Sequence, residues 1–244
     1  MTRLYARKIR ALVFDVFGTV VDWRGSLVRE GMALSAAKGM SVDWPALADA
    51  WRAGYPVAMQ RVRSGDLPWT SVDQLHRIIL DTLIPRFGLG ALTEPERAAL
   101  NRVWHRLDPW PDAVAGLQRL KHGFVISTLS NGNMALLVAM AKRAGLPWDC
   151  VLSAELMRHY KPDPEVYQGA ARLLDVAGDE LLMVASHPSD LRGAARAGLR
   201  TALVKRPLEY GPNPDGRPPP DALDDDRFDL VADDILDLAD RLGC

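Results

Sequence analysis

Residues 9–24, Ile-Arg-Ala-Leu-Val-Phe-Asp-Val-Phe-Gly-Thr-Val-Val-Asp-Trp-Arg, constrain the fold more than any other stretch. The run from Ile9 to Phe14 is apolar except for Arg10 and predicts a strand buried on both faces. It stops on a carboxylate, Asp15, followed by the turn-forming pair Gly18-Thr19. In open parallel α/β sheets ligands bind at the carboxyl ends of the strands, so Asp15 stands where chemistry is expected. A carboxylate among apolar residues is costly to bury unless it is paired or used. A helix N-cap is the competing reading for any single Asp.

The pattern changes after Trp23. Residues 26–38, 44–63, 71–87 and 94–107 predict four helices, punctuated by Gly39, Pro45 and Ser64-Gly65. No convincing strand lies between 22 and 108, so this segment reads as a helical insert. From residue 108 strands and helices alternate. Strands are expected at 124–129, 150–153, 181–185, 201–204 and 228–231, with helices at 111–122, 134–144, 164–174, 191–197 and 234–242. The expected class is α/β: a doubly wound parallel sheet core, residues 1–21 and 108–244, with an inserted α-helical cap at 22–107. Residues 207–226 hold six prolines and read as a surface loop.

Composition excludes several classes. With 48% hydrophobic and 25% charged residues and a net charge of −1, the chain offers no basic field for nucleic acid or an anionic membrane. No apolar run approaches transmembrane length, and the N-terminal residues lack the apolar region of a signal peptide. Two cysteines, Cys150 and Cys244, make no disulfide framework, so a reducing cytoplasm is expected.

Three more strand ends carry polar groups that must face Asp15 if the sheet is right. Ser130-Asn131-Gly132 follows the second core strand; alone it is a turn, but before a helix it is also an anion site. Lys161 stands in Tyr160-Lys161-Pro162 at a helix start, where an ammonium would keep Asp15 ionised in a dry pocket. The fourth strand leads to Ser186-His187-Pro188-Ser189-Asp190.

In this order the four segments resemble the motifs of the haloacid dehalogenase superfamily, and within it the (S)-2-haloacid (type II) dehalogenases. The superfamily's phosphatases read Asp-x-Asp-x-Thr, the second acid protonating the leaving oxygen and helping to hold magnesium. Here Asp15 and Thr19 match and Phe17 replaces that acid. A phenyl ring donates no proton, whereas a departing halide needs none. The phosphatases also place two acids in the fourth motif, of which only Asp190 is kept, so the resemblance implies no metal and no cofactor.

The resemblance further implies Asp15 as nucleophile, with Lys161 and Thr19 holding it ionised and Asp190 positioning water. The backbone amides of Val16 and Phe17, with Ser130, would take the substrate carboxylate, and Arg52 and Asn131 the halide. Tyr167 falls at the position of an active-site tyrosine, and Ser186 completes the pocket. His187 stands where these dehalogenases usually carry Asn. It is expected either to activate the hydrolytic water or only to hydrogen-bond Asp190 or Asp15. The aromatics Trp44, Trp51, Tyr55 and Trp69 read as core or as a dry lid, and Arg24 is a weaker pocket candidate.

The implied reaction turns short 2-haloalkanoic acids, haloacetates included, into 2-hydroxy acids through an ester on Asp15. A phosphatase or phosphonate hydrolase is the nearest alternative, although the segment 22–107 offers only Lys38 for an imine. Hydrolytic opening of a strained C–N ring on a 2-carboxylate could use the same pocket. A non-catalytic binding protein comes last, since Asp15 and Lys161 are both present. The expected partners are a small 2-haloacid and water. A homodimer is expected from family habit, although no interface stripe stands out from core.

Overall fold

Strand β1 (Ala11–Phe14) is buried along its whole length at the centre of a six-stranded parallel sheet. The computed structural model describes residues 8–212, 222–223 and 226–244. The other strands are β4 (Val125–Ser130), β5 (Cys150–Ser153), β6 (Leu181–Ala185), β7 (Arg200–Val204) and β8 (Leu230–Ala232), in the order β5-β4-β1-β6-β7-β8. Side chains alternate across a strand, and β1 uses both faces. Leu12 and Phe14 join a core built with α5 (Ala113–Lys121), α6 (Met134–Ala144) and α9 (Ile235–Leu242). Ala11 and Val13 join a second core built with α7 (Pro164–Leu173) and α8 (Pro188–Arg196). That double burial is why the sequence of β1 is apolar without alternation.

Register decides which strand ends meet. Phe14 lies opposite Thr128 of β4 on one side and Val184 of β6 on the other. The residues just beyond these positions, Asp15, Ser130 and Ser186, therefore share one rim of the sheet. The Asp15 amide extends the pairing by donating to the carbonyl of Val184 at 2.9 Å.

Between β1 and α5 the chain leaves and re-enters through a pair absent from the sequence reading. Strand β2 (Val21–Asp22) runs antiparallel to β3 (Asp108–Pro109). Two-residue strands leave no local pattern; this pair exists because the flanking segments are brought side by side. It brackets α1 (Trp23–Lys38), α2 (Trp44–Arg63), α3 (Val72–Arg86) and α4 (Glu94–Asn101). Each start has a physical reason. Asp22 caps α1 by accepting from the Gly25 amide, Asp43 caps α2 through Ala46, and Ser71 with Gln74 forms a capping box on α3.

Three boundaries differ from expectation by three residues or more. Helix α1 starts at Trp23, three residues early, because the cap is Asp22. The helix expected over 94–107 ends at Asn101 and tightens into a 3₁₀ turn, Arg102–His105. Helix α8 starts at Pro188 rather than Leu191, since proline suits the first helical position. Among the described residues no helix is long and apolar enough to cross a membrane.

Candidate active site

Asp15 is only 7% exposed, and both its oxygens are occupied. Oδ1 accepts from the Lys161 ammonium at 2.9 Å. Oδ2 accepts from the Thr19 hydroxyl at 2.8 Å and faces His187 Nδ1 at 3.1 Å. Burial favours the neutral acid, but Lys161 and then His187 outweigh it and hold the carboxyl far below the usual carboxylate range. The nucleophile predicted from sequence is thus ionised where a carboxylate would otherwise take a proton.

Thr19 is held in turn. Its oxygen accepts from the Ser186 amide at 2.8 Å, which ties the turn after β1 to the end of β6. Lys161 also bonds the Asp190 carboxylate, so one ammonium joins two acids. Burial lowers the affinity of Lys161 for its proton, and Asp15 with Asp190 more than restores it. Asp190, at the first turn of α8, lies above the usual carboxylate range: burial and Asp15 push it up against the pull of Lys161.

These groups do not form a magnesium site. Magnesium wants several oxygens in octahedral array. Here the two carboxylates already share an ammonium, and a phenyl ring stands at position 17. Among the described residues no group of three or more His, Cys, Asp and Glu side chains is arranged to hold a metal ion.

Above Asp15 opens a cavity of about 640 Å³, walled by Phe17, Arg52, Tyr55, Met59, Asn131 and Tyr210. Ser130, Lys161, His187 and Asp190 also reach it. Helix α2 supplies much of this wall. Its buried stripe of Leu47, Trp51, Tyr55, Ala58 and Met59 sets the helix rotation and brings Arg52 to the rim. The Arg52 guanidinium rests on two aromatic faces, 5.7 Å from the Trp23 ring centre and 5.4 Å from that of Tyr55. Asn131 is oriented by its own contacts: Oδ1 accepts from the Lys161 amide at 2.7 Å, so the NH₂ end faces Met59 and the cavity. Ser130 Oγ accepts from the Gly132 amide at 3.1 Å and closes the turn after β4. Val16 is buried in that core, its carbonyl accepting from the amides of Val20 and Val21.

Some candidates stand elsewhere. Tyr167 is fully buried beneath the site, and its hydroxyl donates to Asp190 Oδ1 at 2.6 Å. It positions that carboxylate rather than lining the cavity. Arg24 forks onto Asp49 at 2.7 and 2.9 Å. Trp44 packs against Gly31, Trp51 donates to the His76 carbonyl, and Trp69 stacks on Tyr160; of the four aromatics only Tyr55 walls the cavity.

Met59 and Tyr210 of the cavity wall escaped the sequence reading, and so did a third site residue. Glu209 lies in the proline-rich segment read as a surface loop, yet it is 3% exposed. Its carboxylate meets His187 Nε2 at 2.8 Å and accepts from the Trp23 indole at 3.0 Å. Gly18, at φ +87°, makes room for it: a Cβ there would collide with the Glu209 carboxylate. The loop itself is pinned by Arg206, which forks onto Asp112 at 2.8 Å and donates to the Thr19 carbonyl. Glu209 is one of six acids between residues 207 and 226 and belongs to no periodic pattern or motif, so nothing local marks it. Part of that segment, 213–221 and 224–225, lies outside the described residues.

Comparison with known proteins points the same way. A family model for haloacid dehalogenase-like hydrolases matches residues 9–198. The (S)-2-haloacid dehalogenase 1 of Pseudomonas sp. (strain CBS-3) is 32% identical over 217 residues, covering 83% of this chain and 88% of the relative. Among solved structures, an L-2-haloacid dehalogenase superposes with a TM-score of 0.90 at 48% identity, covering 96% of this chain and 98% of that one. A defluorinating L-2-haloacid dehalogenase follows with a TM-score of 0.88 at 40% identity, covering 97% and 96%.

Proposed function

The chain belongs to the haloacid dehalogenase-like hydrolases, and from that premise we propose that it hydrolyses the carbon–halogen bond of short L-2-haloalkanoic acids, haloacetates and fluoroacetate among them. The observation that carries this reading is the state of Asp15: a buried carboxylate kept ionised by Lys161 under a cavity, with Phe17 where an acid would protonate a leaving oxygen. Such a site suits a leaving group that departs as an anion and needs no proton. The relatives named above act on 2-haloacids, and one removes fluoride.

The geometry supports the following steps. Oδ2 of Asp15 already takes two donors and Oδ1 only one, so Oδ1 keeps a lone pair for attack. It displaces halide in line from the carbon bearing it and forms an ester. The backbone amides of Val16 and Phe17, with Ser130, receive the substrate carboxylate. Arg52 and the NH₂ end of Asn131 receive the halide, donors aimed at charge that develops only as the bond breaks. Water then attacks the ester carbonyl and releases the 2-hydroxy acid. Asp190, held by Lys161 and Tyr167, takes the water proton. Residues 22–107 act as a cap that supplies Arg52 and the aromatic wall. The two unpaired cysteines suit a reducing cytoplasm, and a homodimer fits the family habit.

Halide release tests the reading. With 2-chloropropionate enantiomers and fluoroacetate in excess chelator, the enzyme should release halide from the L enantiomer, and Asp15→Asn should release none. Release abolished by chelator, or surviving in Asp15→Asn, contradicts the reading.

A further inference from the structure

His187 is wedged between two acids. Nδ1 lies 3.1 Å from Asp15 Oδ2 and Nε2 lies 2.8 Å from Glu209 Oε1. A ring nitrogen without a proton would point its lone pair at a carboxylate oxygen; this geometry is favourable only if both nitrogens carry hydrogen. From that geometry we propose that His187, locked as an imidazolium by Glu209, is an electrophilic catalyst of the second step: it and Thr19 form the oxyanion hole in which the Asp15 ester is hydrolysed. This rests on the ester-forming reading above and assigns a role opposite to that of a general base.

The role of His187 depends on which oxygen becomes the carbonyl. Attack by Oδ1 leaves Oδ2 as the ester carbonyl oxygen, and Oδ2 is the atom that already faces Thr19 Oγ1 at 2.8 Å and His187 Nδ1 at 3.1 Å. Water adds to the carbonyl carbon, its proton passes to Asp190, and the carbonyl electron pair moves onto Oδ2. The negative charge thus forms between a hydroxyl and an imidazolium already in place. Collapse restores the carbonyl and breaks the bond to Oδ1, which leaves as the hydroxyl of the product with the proton returned from Asp190. Asp15 is left as the acid and loses its proton to solvent.

The surroundings keep the ring charged throughout. Burial opposes the imidazolium, but Glu209, together with Asp15, raises its pKa to about 10. Esterification removes the charge of Asp15, and Glu209 remains. Glu209 is itself held below the usual carboxylate range: burial is outweighed by His187, with Arg52 and the Trp23 indole contributing. Lys161 sits on the far oxygen of Asp15 and Asp190 beyond it, so neither contacts the ring. A base needs a free lone pair at neutral pH, and this ring has none.

Single-turnover kinetics separate the steps: halide release reports ester formation, and the mass of the Asp15 peptide reports ester breakdown. His187→Gln keeps a partner for Glu209 but removes the Nδ1 donor. It should slow breakdown about 100-fold while ester formation stays within about tenfold. His187→Asn, which restores a neutral donor near Nδ1, should recover part of the loss. In the wild type, breakdown should be level through neutral pH and fall on the alkaline side, below the resting value of about 10, because the ester no longer carries the charge of Asp15. Glu209→Gln should move that fall at least one pH unit lower. In the resting enzyme at pH 8, ¹⁵N spectra should show both His187 nitrogens protonated. Breakdown that rises with pH through an ionisation shifted by Glu209→Gln makes His187 a base and overturns the proposal, as does unchanged breakdown in His187→Gln. Absence of any Asp15 adduct in the wild type overturns the ester reading itself, and the role of His187 with it.

Discussion

Lys161 shows how much of the site one side chain decides. Its ammonium is 7% exposed and joins two buried carboxylates, Asp15 and Asp190. Removing one partner of a buried ionic cluster leaves uncompensated charge, which costs about 3–5 kcal/mol. Lys161→Met should lose that much at pH 8 by urea unfolding and abolish halide release. The deficit should shrink at pH 5, because one of the abandoned carboxylates then takes a proton; an equal deficit at both values would contradict the account. Much at this scale was legible in the sequence. Asp15, Thr19, Lys161 and Asp190 stand at strand ends or helix starts in a fixed order, and these four meet. What escaped depends on contacts between distant segments. Glu209 reaches His187 from a loop without pattern, and Tyr167 spends its hydroxyl on Asp190. The ionisation of His187 could not be read from its neighbours in sequence, because Glu209 sets it.

Elements built on strong local signals were the readable ones. The buried strands, the helix ended by Gly145 in a left-handed turn and the helix led by Pro164 lie close to their expected bounds. The β2–β3 pair was not readable, since two residues carry no periodicity. Helix contacts are another property invisible to pattern. Gly31 of α1 lies under the Trp44 indole of α2, and a Cβ would collide with that ring. Gly31→Ala should therefore push apart the two helices that place Arg52 and Trp23. Overpacking of this kind costs about 1–3 kcal/mol, to be read as a shift in the urea midpoint at unchanged slope. A stabilised variant would show that α1 and α2 are not in the contact described.

For the whole molecule, the site is a balanced array. Asp15, Asp190 and Glu209 face Lys161, His187 and Arg52. Such an array links stability to pH through groups whose affinity for protons changes on folding. His187 binds its proton more tightly when folded, with a pKa of about 10 against an ordinary 6.5. Its contribution is complete below pH 6.5 and is lost as the pH rises towards 10. Glu209 and Asp15 are depressed on folding, so their contributions are present above the ordinary carboxylate range and vanish on acidification. Stability should therefore be highest near neutrality. Glu209→Gln should flatten the alkaline loss, on the order of a few kcal/mol, in unfolding curves taken from pH 6 to 10. An unchanged alkaline limb would mean that Glu209 does not hold the His187 proton.

In the proposed reaction Asp15 itself forms the bond to carbon. Enzyme in excess over L-2-chloropropionate, in H₂¹⁸O, is carried through one turnover and digested, and the peptide holding Asp15 is weighed beside the released hydroxy acid. One ¹⁸O atom is expected in Asp15 and none in the product, because water attacks the ester and the product leaves with an aspartate oxygen. Label in the hydroxy acid, with Asp15 unlabelled, would mean that water displaces the halide directly and that Asp15 is not the nucleophile.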